Sequence, residues 1–369
     1  MRNQSQQAML DAFFGSLDAA HGDWQRGVSD RAFAKARSHL DPLCLQRLNT
    51  WLIAQADAAG LLARWYGLRV VAGDASALMP AIRPCHTRGR LAQAHQQLFS
   101  LVLPGCDLTL HASVHGLQVA ERQMLFEALD ALGPDDVLVL DRGYPAGWLV
   151  ALLNERGIRF CMRCDKANGW VAMRALLHSG KDEDEVTLKA PSRQDALDYE
   201  CSGKAPKVRL VRVICPNGRV QVVATNLPAK EFPCTVFADL YHQRWRIEEG
   251  YKRLKHRAKL EAVSGLTQHA VLVDVAAKVL ADNMGSLLCQ AASAQADLVG
   301  RQRVCNRAYA APLLQRVLPR VVLALGCLAK MLDKAIAMLA ANTHRRVKDR
   351  SQPRPKRRAK PHPHMAYKG

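Results

Sequence analysis

Hydrophobic residues recur with helical spacing near the beginning of the chain. Leu45, Leu48 and Leu52 are separated so that they lie on one face of a helix. Asp41 and Pro42 directly precede this face, and an N-cap carboxylate followed by proline in the first turn is typical of a helix start. We therefore predict that residues 1–62 form helices.

The period of the pattern changes after this region. Apolar runs that are too short for helices alternate with helical segments and with turns that contain glycine or proline. The runs predict five strands, at 68–74, 97–103, 108–114, 136–141 and 158–164. Because helical segments at 117–132 and 146–156 separate the later strands, we expect a mixed α/β sheet with crossover connections.

A second β-rich stretch and a helical C-terminal part follow. Residues 166–231 contain three β-rich runs, and an Asn-Gly pair between the last two is a hairpin signal. The pattern is then helical again, and the expected helices are 233–260, 267–295, 306–325 and 327–347. Pro312 and Pro319 are expected to break or kink the third of these helices.

The chain carries a large positive charge. Its 369 residues include 52 Lys and Arg against 33 Asp and Glu, a formal net charge of +19 at pH 7. Ten of the basic residues lie in 344–369 with a single Asp, among prolines that oppose helix formation. Nucleic acids and anionic membranes are the usual partners of such charge. We expect 348–369 to be a disordered basic tail that contacts phosphates without reading sequence.

The composition also disfavours several classes of protein. The chain is 49% hydrophobic, which is enough to form a buried core. No apolar stretch reaches the roughly 20 residues of a membrane-spanning helix, and the N-terminus lacks an export pattern. The 11 cysteines are scattered and odd in number, as expected of reduced thiols. These features predict a cytoplasmic protein without a membrane partner.

Two carboxylates each end a predicted strand. Asp74 is the last residue of the first strand, and Asp141 is the last residue of the fourth. Ligands usually bind at the carboxyl ends of strands in α/β sheets. Asp141 is followed by Arg-Gly-Tyr-Pro, a tight turn directed at a helix start. The alternative interpretation is that each Asp merely begins a loop or caps a helix.

A third set of polar residues lies on the helix predicted at 233–260. Tyr241, Glu248 and Lys255 are seven residues apart and so form one stripe, with Arg244 about 40° from Glu248. A solvated helix with an Arg244–Glu248 pair is the simpler alternative. Three carboxylates from separate elements can, however, hold two divalent cations, and oxygen ligands suit Mg²⁺ or Mn²⁺.

The spacing of this third set resembles a known signature. Tyr241-x2-Arg244-x3-Glu248-x6-Lys255 is similar, in all residues and spacings, to the Y-R-E-K signature of bacterial insertion-sequence transposases of the DDE class. The segments around Asp74 and Asp141 resemble the two Asp blocks of that family, in the same order. The resemblance covers roughly 65–265. It implies a ribonuclease-H-like mixed sheet that is interrupted by a β-rich insertion before the Glu helix.

The resemblance also implies a role for each side chain. The ligands of two Mg²⁺ ions, which Mn²⁺ can replace, would be Asp74, Asp141 and Glu248. The phosphates of the transposon end would be held by Tyr241, Arg244, Lys252 and Lys255. A flipped base would stack on an aromatic residue of the insertion, for which the candidate is Trp170. The inverted repeats would be recognised by the N-terminal helices, which carry Arg26, Arg31, Lys35 and Arg37.

The implied activity is metal-dependent DNA strand cleavage at the terminal inverted repeats, followed by strand transfer into target DNA. Two DNA ends imply a homodimer in the DNA complex. An inactive end-binding repressor and a ribonuclease-H-like nuclease are the alternatives. The predicted regions are the helical N-terminal DNA-binding region 1–62, the first part of the core 63–165, the insertion 166–231, the Glu helix 232–265, the C-terminal helices 266–347 and the tail 348–369.

Overall fold

The structure of the chain is a computed structural model. It describes residues 5–18, 27–80, 95–164, 170–215, 218–323 and 326–346. The predicted tail 348–369 therefore lies outside the described residues. The chain forms two compact units that interleave in sequence. We name them the sheet unit, 52–77 with 97–251, and the helical unit, 1–51 with 78–96 and 252–369.

Helices and strands alternate through the middle of the chain, as the hydrophobic pattern predicts. The helices are α1 (Gln6–Asp18), α2 (Asp30–Ser38), α3 (Pro42–Ala58), α4 (Glu121–Ala128), α5 (Gly147–Glu155), α6 (Val171–Ser179), α7 (Arg193–Asp198), α8 (Phe237–Gln243), α9 (Arg246–Lys252), α10 (Gln268–Gln295), α11 (Arg307–Val322) and α12 (Leu328–Ala341). The strands are β1 (Arg69–Leu78), β2 (Gln96–Leu103), β3 (Leu108–Gly116), β4 (Asp136–Leu140), β5 (Arg159–Arg163), β6 (Glu183–Thr187), β7 (Lys207–Ile214), β8 (Val220–Thr225), β9 (Arg303–Cys305) and β10 (Thr343–Arg345).

The centre of the sheet unit is one eight-stranded sheet in the order β3-β2-β1-β4-β5-β8-β7-β6. The strands β1, β4 and β5 are parallel, whereas β8 pairs antiparallel with both β5 and β7. β4 is buried along its whole length, in agreement with the continuous apolar run in its sequence. The mixed sheet and the helices between its strands confirm the predicted α/β class.

The β-rich segment 166–231 extends this sheet and does not form a sheet of its own. Side-chain bonds across the β5–β8 pair show why it joins. Thr225 Oγ1 donates to the Phe160 carbonyl at 2.6 Å, and Asn226 Oδ1 accepts from the Phe160 N–H at 3.0 Å. Asn226 Nδ2 also donates to the Ile158 carbonyl at 2.9 Å. These contacts join residues far apart in sequence, so the run pattern alone did not show the pairing.

An ion pair joins the first residues of β1 and β4. Arg69 Nε and Nη2 donate to the two carboxylate oxygens of Asp136 at 2.6 and 2.9 Å. The Asp136 side chain is fully buried, and its Oδ2 also accepts from the Gly133 N–H at 2.7 Å. Asp57 Oδ2 lies 3.1 Å from Arg69 Nη1. The pair therefore holds the register in which Arg69 faces Asp136.

One face of the sheet is covered by α8. Val70 of β1 and Val139 of β4 pack in one buried cluster with Tyr241 of α8. Burial of an aliphatic side chain of this size stabilises the fold by about 1.5–3 kcal/mol. Alternate residues of a strand point to the same side, so Asp74 and Asp141 continue the rows of Val70 and Val139. Both carboxylates thus lie on the face that α8 covers.

The helical unit has its own core, in which α10, α11 and α12 pack together. The helix α11 runs through Pro312 and Pro319 without a break, so neither proline ends the helix. Leu313 and Leu314 of α11 are buried in this core, and their packing offsets the backbone hydrogen bonds that proline cannot make. Within the described residues, no helix is both long and apolar enough to cross a membrane.

Within the helical unit, Arg37 joins the basic helix α2 to Ser264 and Asp274. The Arg37 guanidinium donates to the Ser264 hydroxyl and, at 2.9 Å, to the Ser264 carbonyl. It also lies 3.6 Å from Asp274 Oδ1, and its side chain is only 10% exposed. The contacts of Arg37 therefore hold α2 in place, whereas Arg31 and Lys35 are exposed. The further candidate Arg26 lies outside the described residues.

Candidate active site

The two predicted Asp residues lie opposite each other on neighbouring strands. The parallel pairing of β1 with β4 ends with Ala72 facing Val139. Asp74 and Asp141 each follow two residues later, so continuation of this register places them side by side. Asp141 directly follows β4, whereas Asp74 lies within β1, which continues to Leu78. The expectation that Asp74 ends its strand is therefore wrong. Both carboxylates are partly exposed. The structure thus brings together two residues that are far apart in sequence.

Asp74 has an unusual electrostatic environment. Burial raises its pKa to about 7, and the negative charges of Asp141 and Glu121 also raise it. A hydrogen bond from the Ala75 N–H to Asp74 Oδ1 at 2.9 Å and the positive charge of Arg244 act in the opposite direction. The Tyr251 hydroxyl donates to the main-chain carbonyl of Asp74 and fixes this part of β1. Such a perturbed carboxylate is typical of a functional site.

A tight turn positions Asp141. The Gly143 N–H donates to Asp141 Oδ1 at 2.7 Å, which orients the carboxylate. From α4, Arg122 Nε donates to the Gly143 carbonyl at 3.0 Å, and Arg122 Nη2 donates to the Pro145 carbonyl at 3.4 Å. Tyr144 is fully buried in this turn. The turn that the sequence predicted after the fourth strand is therefore present and is held from outside by a helix.

Glu248 lies on α9 beside a buried arginine. Arg244 Nη2 is 4.0 Å from Glu248 Oε1, and the Arg244 side chain is 6% exposed. The guanidinium also lies over the rings of Tyr241 and Trp245, at 5.8 and 4.7 Å from the ring centroids. Burial raises the pKa of Tyr241, and the charges of Arg244 and Arg163 lower it. Arg244 therefore acts on both Glu248 and Asp74 and links them electrostatically.

The continuous helix expected for the third set of residues is divided. α8 ends at Gln243 and α9 begins at Arg246, and a π-helical turn, Arg253–Arg257, follows α9. A π-helix has more residues per turn than an α-helix, so the seven-residue stripe does not continue to Lys255. Lys252 is the last residue of α9, and Lys255 Nζ lies 4.0 Å from Glu261 Oε1 within the helical unit.

Trp170 directly precedes α6 and is partly exposed. α6 packs against β6 and β7, which lie at the opposite end of the sheet from β1. Its role toward a flipped base stays a prediction.

Two polar residues near the Asp pair were missed by the sequence reasoning. Arg163 ends β5, and the pairing of Leu140 with Met162 continues to place it beside Asp141. Glu121 begins α4, and burial and the charge of Asp141 raise its pKa. The two-residue period of β5 could have placed Arg163 on the face of the acids. Nothing in the local sequence distinguishes Glu121 from an ordinary acidic residue at a helix start.

The carboxylate oxygens of Asp74 and Asp141 are suitable ligands for magnesium. The expected third acid, Glu248, does not form a close group with them. Within the described part of the chain, no three His, Cys, Asp or Glu side chains are grouped closely enough to hold a metal ion. The buried Arg244 contacts Glu248 and its positive charge acts on Asp74. Magnesium commonly takes only one or two carboxylates and completes its shell with water and phosphate. The neighbouring Asp74 and Asp141 meet that requirement.

Comparison with known proteins identifies the class. The transposase DDE domain family matches residues 88–284, which is more than half of the chain. The chain therefore belongs to this family. The matched region includes Asp141 and Glu248 and begins after Asp74.

Individual relatives are distant. The chain is similar to transposase InsG for insertion sequence element IS4 of Escherichia coli (strain K12), with 24% identity over 242 residues. This similarity covers 62% of the chain and 53% of InsG, so the chain spans about half the length of this curated relative. Among solved structures, the chain is similar to the piggyBac transposase synaptic complex with hairpin DNA, with a TM-score of 0.40 and 10% identity. That similarity covers 73% of this chain and 57% of the other.

Proposed function

We propose that the chain binds the terminal inverted repeats of its insertion sequence and catalyses metal-dependent DNA cleavage and strand transfer. The observation that carries this proposal is the register of β1 with β4, which brings Asp74 beside Asp141 where β4 ends. The charge of Arg244 couples Glu248 to the pair. Membership of the DDE transposase domain family supports the same reaction class.

Asp74, Asp141 and Glu248 would hold two Mg²⁺ ions, or Mn²⁺ in their place. When bound, the ions would supply Lewis-acid chemistry to the attacking and departing oxygens of the phosphodiester. Negative charge from three carboxylates requires such cations before a phosphate can approach. The pKa of Asp74, about 7, means that cation binding must compete with a proton at neutral pH.

The positively charged side chains of the site would hold the DNA backbone. Arg244 presents a planar guanidinium that suits two phosphate oxygens, and Tyr241 lies beside it. Arg163 adds positive charge next to Asp141 on the same sheet edge. Lys252 and Lys255 would contact phosphates further along the transposon end.

End recognition belongs, in this proposal, to the N-terminal helices. α2 has no buried residue and exposes Arg31 and Lys35, while Arg37 fixes its position. A basic helix held in this way can contact phosphates through its exposed side chains. Because a transposition event joins two DNA ends, we propose that two copies of the chain act together as a homodimer on DNA.

The test is cleavage of a duplex that carries the element's own terminal repeat, in the presence of Mg²⁺. The unaltered chain should nick this DNA and prefer it to a scrambled duplex. Glu248→Gln should abolish nicking while binding of the end persists. The matched control is Glu249→Gln, because Glu249 is the exposed neighbour on the same helix and should tolerate the change.

The same assay distinguishes the alternatives. Specific binding without nicking by the unaltered chain would identify an inactive repressor. Nicking without preference for the terminal repeat would identify a ribonuclease-H-like nuclease. Nicking by Glu248→Gln at the rate of the unaltered chain would show that the assignment of Glu248 is wrong.

A further inference from the structure

Glu121 lies against the turn that follows Asp141. A Cβ atom built on Gly143 would lie 3.1 Å from Asp141 Oδ1 and 3.7 Å from Glu121 Oε2. The two carboxylate oxygens therefore both lie close to one point, and they are less than about 7 Å apart. A larger side chain at position 143 would meet both carboxylates. This arrangement brings a carboxylate from α4 next to the one that ends β4.

The position of Glu121 is held by its neighbour in sequence. Arg122 donates to the carbonyls of Gly143 and Pro145, which join the first turn of α4 to the Asp141 turn. Two bonds from one guanidinium give a defined geometry, unlike a single contact from a flexible side chain. Glu121 is therefore placed by a helix end that is itself attached to the turn, and its approach to Asp141 does not depend on its own rotamer alone.

A buried hydroxyl points to a ligand at this place. Tyr144 is fully buried, and its hydroxyl oxygen has no hydrogen-bond partner among the described residues. Burial raises the pKa of this hydroxyl, and Glu121, Asp74, Tyr251 and Asp141 act in the same direction, so the hydroxyl lies near the acids. Buried hydroxyl groups are nearly always hydrogen-bonded in folded proteins. A hydrated cation held by the carboxylates would supply the partner through one of its water molecules.

We propose that Glu121 is a fourth acid of the active site and binds a divalent cation together with Asp141. This inference rests on the proposed function, to which it adds a residue outside the Asp74, Asp141 and Glu248 set. Two adjacent carboxylates repel each other, and a shared cation removes the repulsion. Two carboxylates, with water and phosphate at the other positions, form a normal ligand set for Mg²⁺.

The experiment is a calorimetric titration of the full chain with Mn²⁺ as the probe. Glu121→Gln keeps the shape of the side chain and removes its charge, and it should weaken Mn²⁺ binding by about tenfold or more. The matched control is Glu127→Gln on the same helix, where the carboxylate is half-exposed and accepts a bond from Gln123 at 2.9 Å. The control should bind Mn²⁺ as the unaltered chain does.

A second variant distinguishes the loss of a metal ligand from misfolding. Glu121→Asp keeps the charge but shortens the side chain by one methylene, so it should also weaken Mn²⁺ binding while unfolding at the same temperature as the parent. Unchanged Mn²⁺ affinity in both Glu121 variants would overturn the inference.

Asp141→Asn separates this failure from a failure of the proposed function. If Asp141→Asn loses Mn²⁺ binding while the Glu121 variants keep it, only the role of Glu121 is wrong. If Asp141→Asn also binds Mn²⁺ like the parent, the proposed metal-dependent function is wrong as well.

Discussion

Removal of Arg69 should destabilise the sheet unit strongly, because it leaves a buried charge without a partner. Asp136 is fully buried and receives two hydrogen bonds from the Arg69 guanidinium, whose side chain is 14% exposed. Loss of one member of a buried ion pair typically costs about 3–5 kcal/mol. We expect Arg69→Met to lower the free energy of unfolding in urea by about 3 kcal/mol. The double variant Arg69→Met/Asp136→Leu should recover much of this loss, since the buried charge is then absent.

A surface ion pair of the same unit provides the control. Arg156 Nη1 lies 2.9 Å from Asp130 Oδ1, and the Asp130 side chain is 92% exposed. Arg156→Met should therefore change the free energy of unfolding by less than about 1 kcal/mol. If Arg69→Met is no more destabilising than Arg156→Met, or if the effects of Arg69→Met and Asp136→Leu simply add, the pair does not hold β1 and β4 in register.

Three further predictions concern the site and the tail. The pKa of Asp74 is about 7 in the folded chain against 3.8 for a free side chain, so the folded state loses stability as pH rises from about 4 to 7. Asp74→Asn should therefore stabilise the metal-free chain at pH 8 by about 2–4 kcal/mol but not at pH 4. If the variant and the unaltered chain have equal urea midpoints at both pH values, this prediction is wrong. Tyr144→Phe should raise the stability of the metal-free chain by about 1 kcal/mol, because it removes a buried hydroxyl that lacks a partner among the described residues; a loss of stability would show that the hydroxyl is satisfied. Deletion of 348–369 should weaken DNA binding and flatten its dependence on salt concentration, and an unchanged salt slope would show that the tail makes no phosphate contacts.

Much of the core of the sheet unit could be predicted from local pattern. The apolar run of β4 and the turn after Asp141 are both visible in the sequence, because a buried parallel strand and a tight turn have distinct compositions. β1 is longer than predicted, because it continues beyond the apolar run as far as Leu78. In the sheet it lies between β2 and β4. The pairing of β8 with β5 depends on Thr225 and Asn226, which interact with residues more than sixty positions away. Local periodicity carries no information about such contacts.

In the candidate site, too, local features could be predicted from the sequence and tertiary contacts could not. The spacing of Arg244 and Glu248 predicts their proximity, and the structure confirms it at 4.0 Å. The break between α8 and α9 at Arg244 was not visible, because the residues around it have no strong helix breaker. Glu121 comes to Asp141 only through the tertiary position of α4, so no motif could have indicated it.

We propose that Asp74 and Asp141 share a metal ion with which the chain cleaves DNA. The most direct test is anomalous diffraction from crystals of the chain with Mn²⁺ and a terminal-repeat duplex. We predict a manganese peak within coordination distance of both Asp74 and Asp141, and a second peak bound by Glu248. Manganese that binds elsewhere on the chain, with both Asp side chains unligated, would contradict the account.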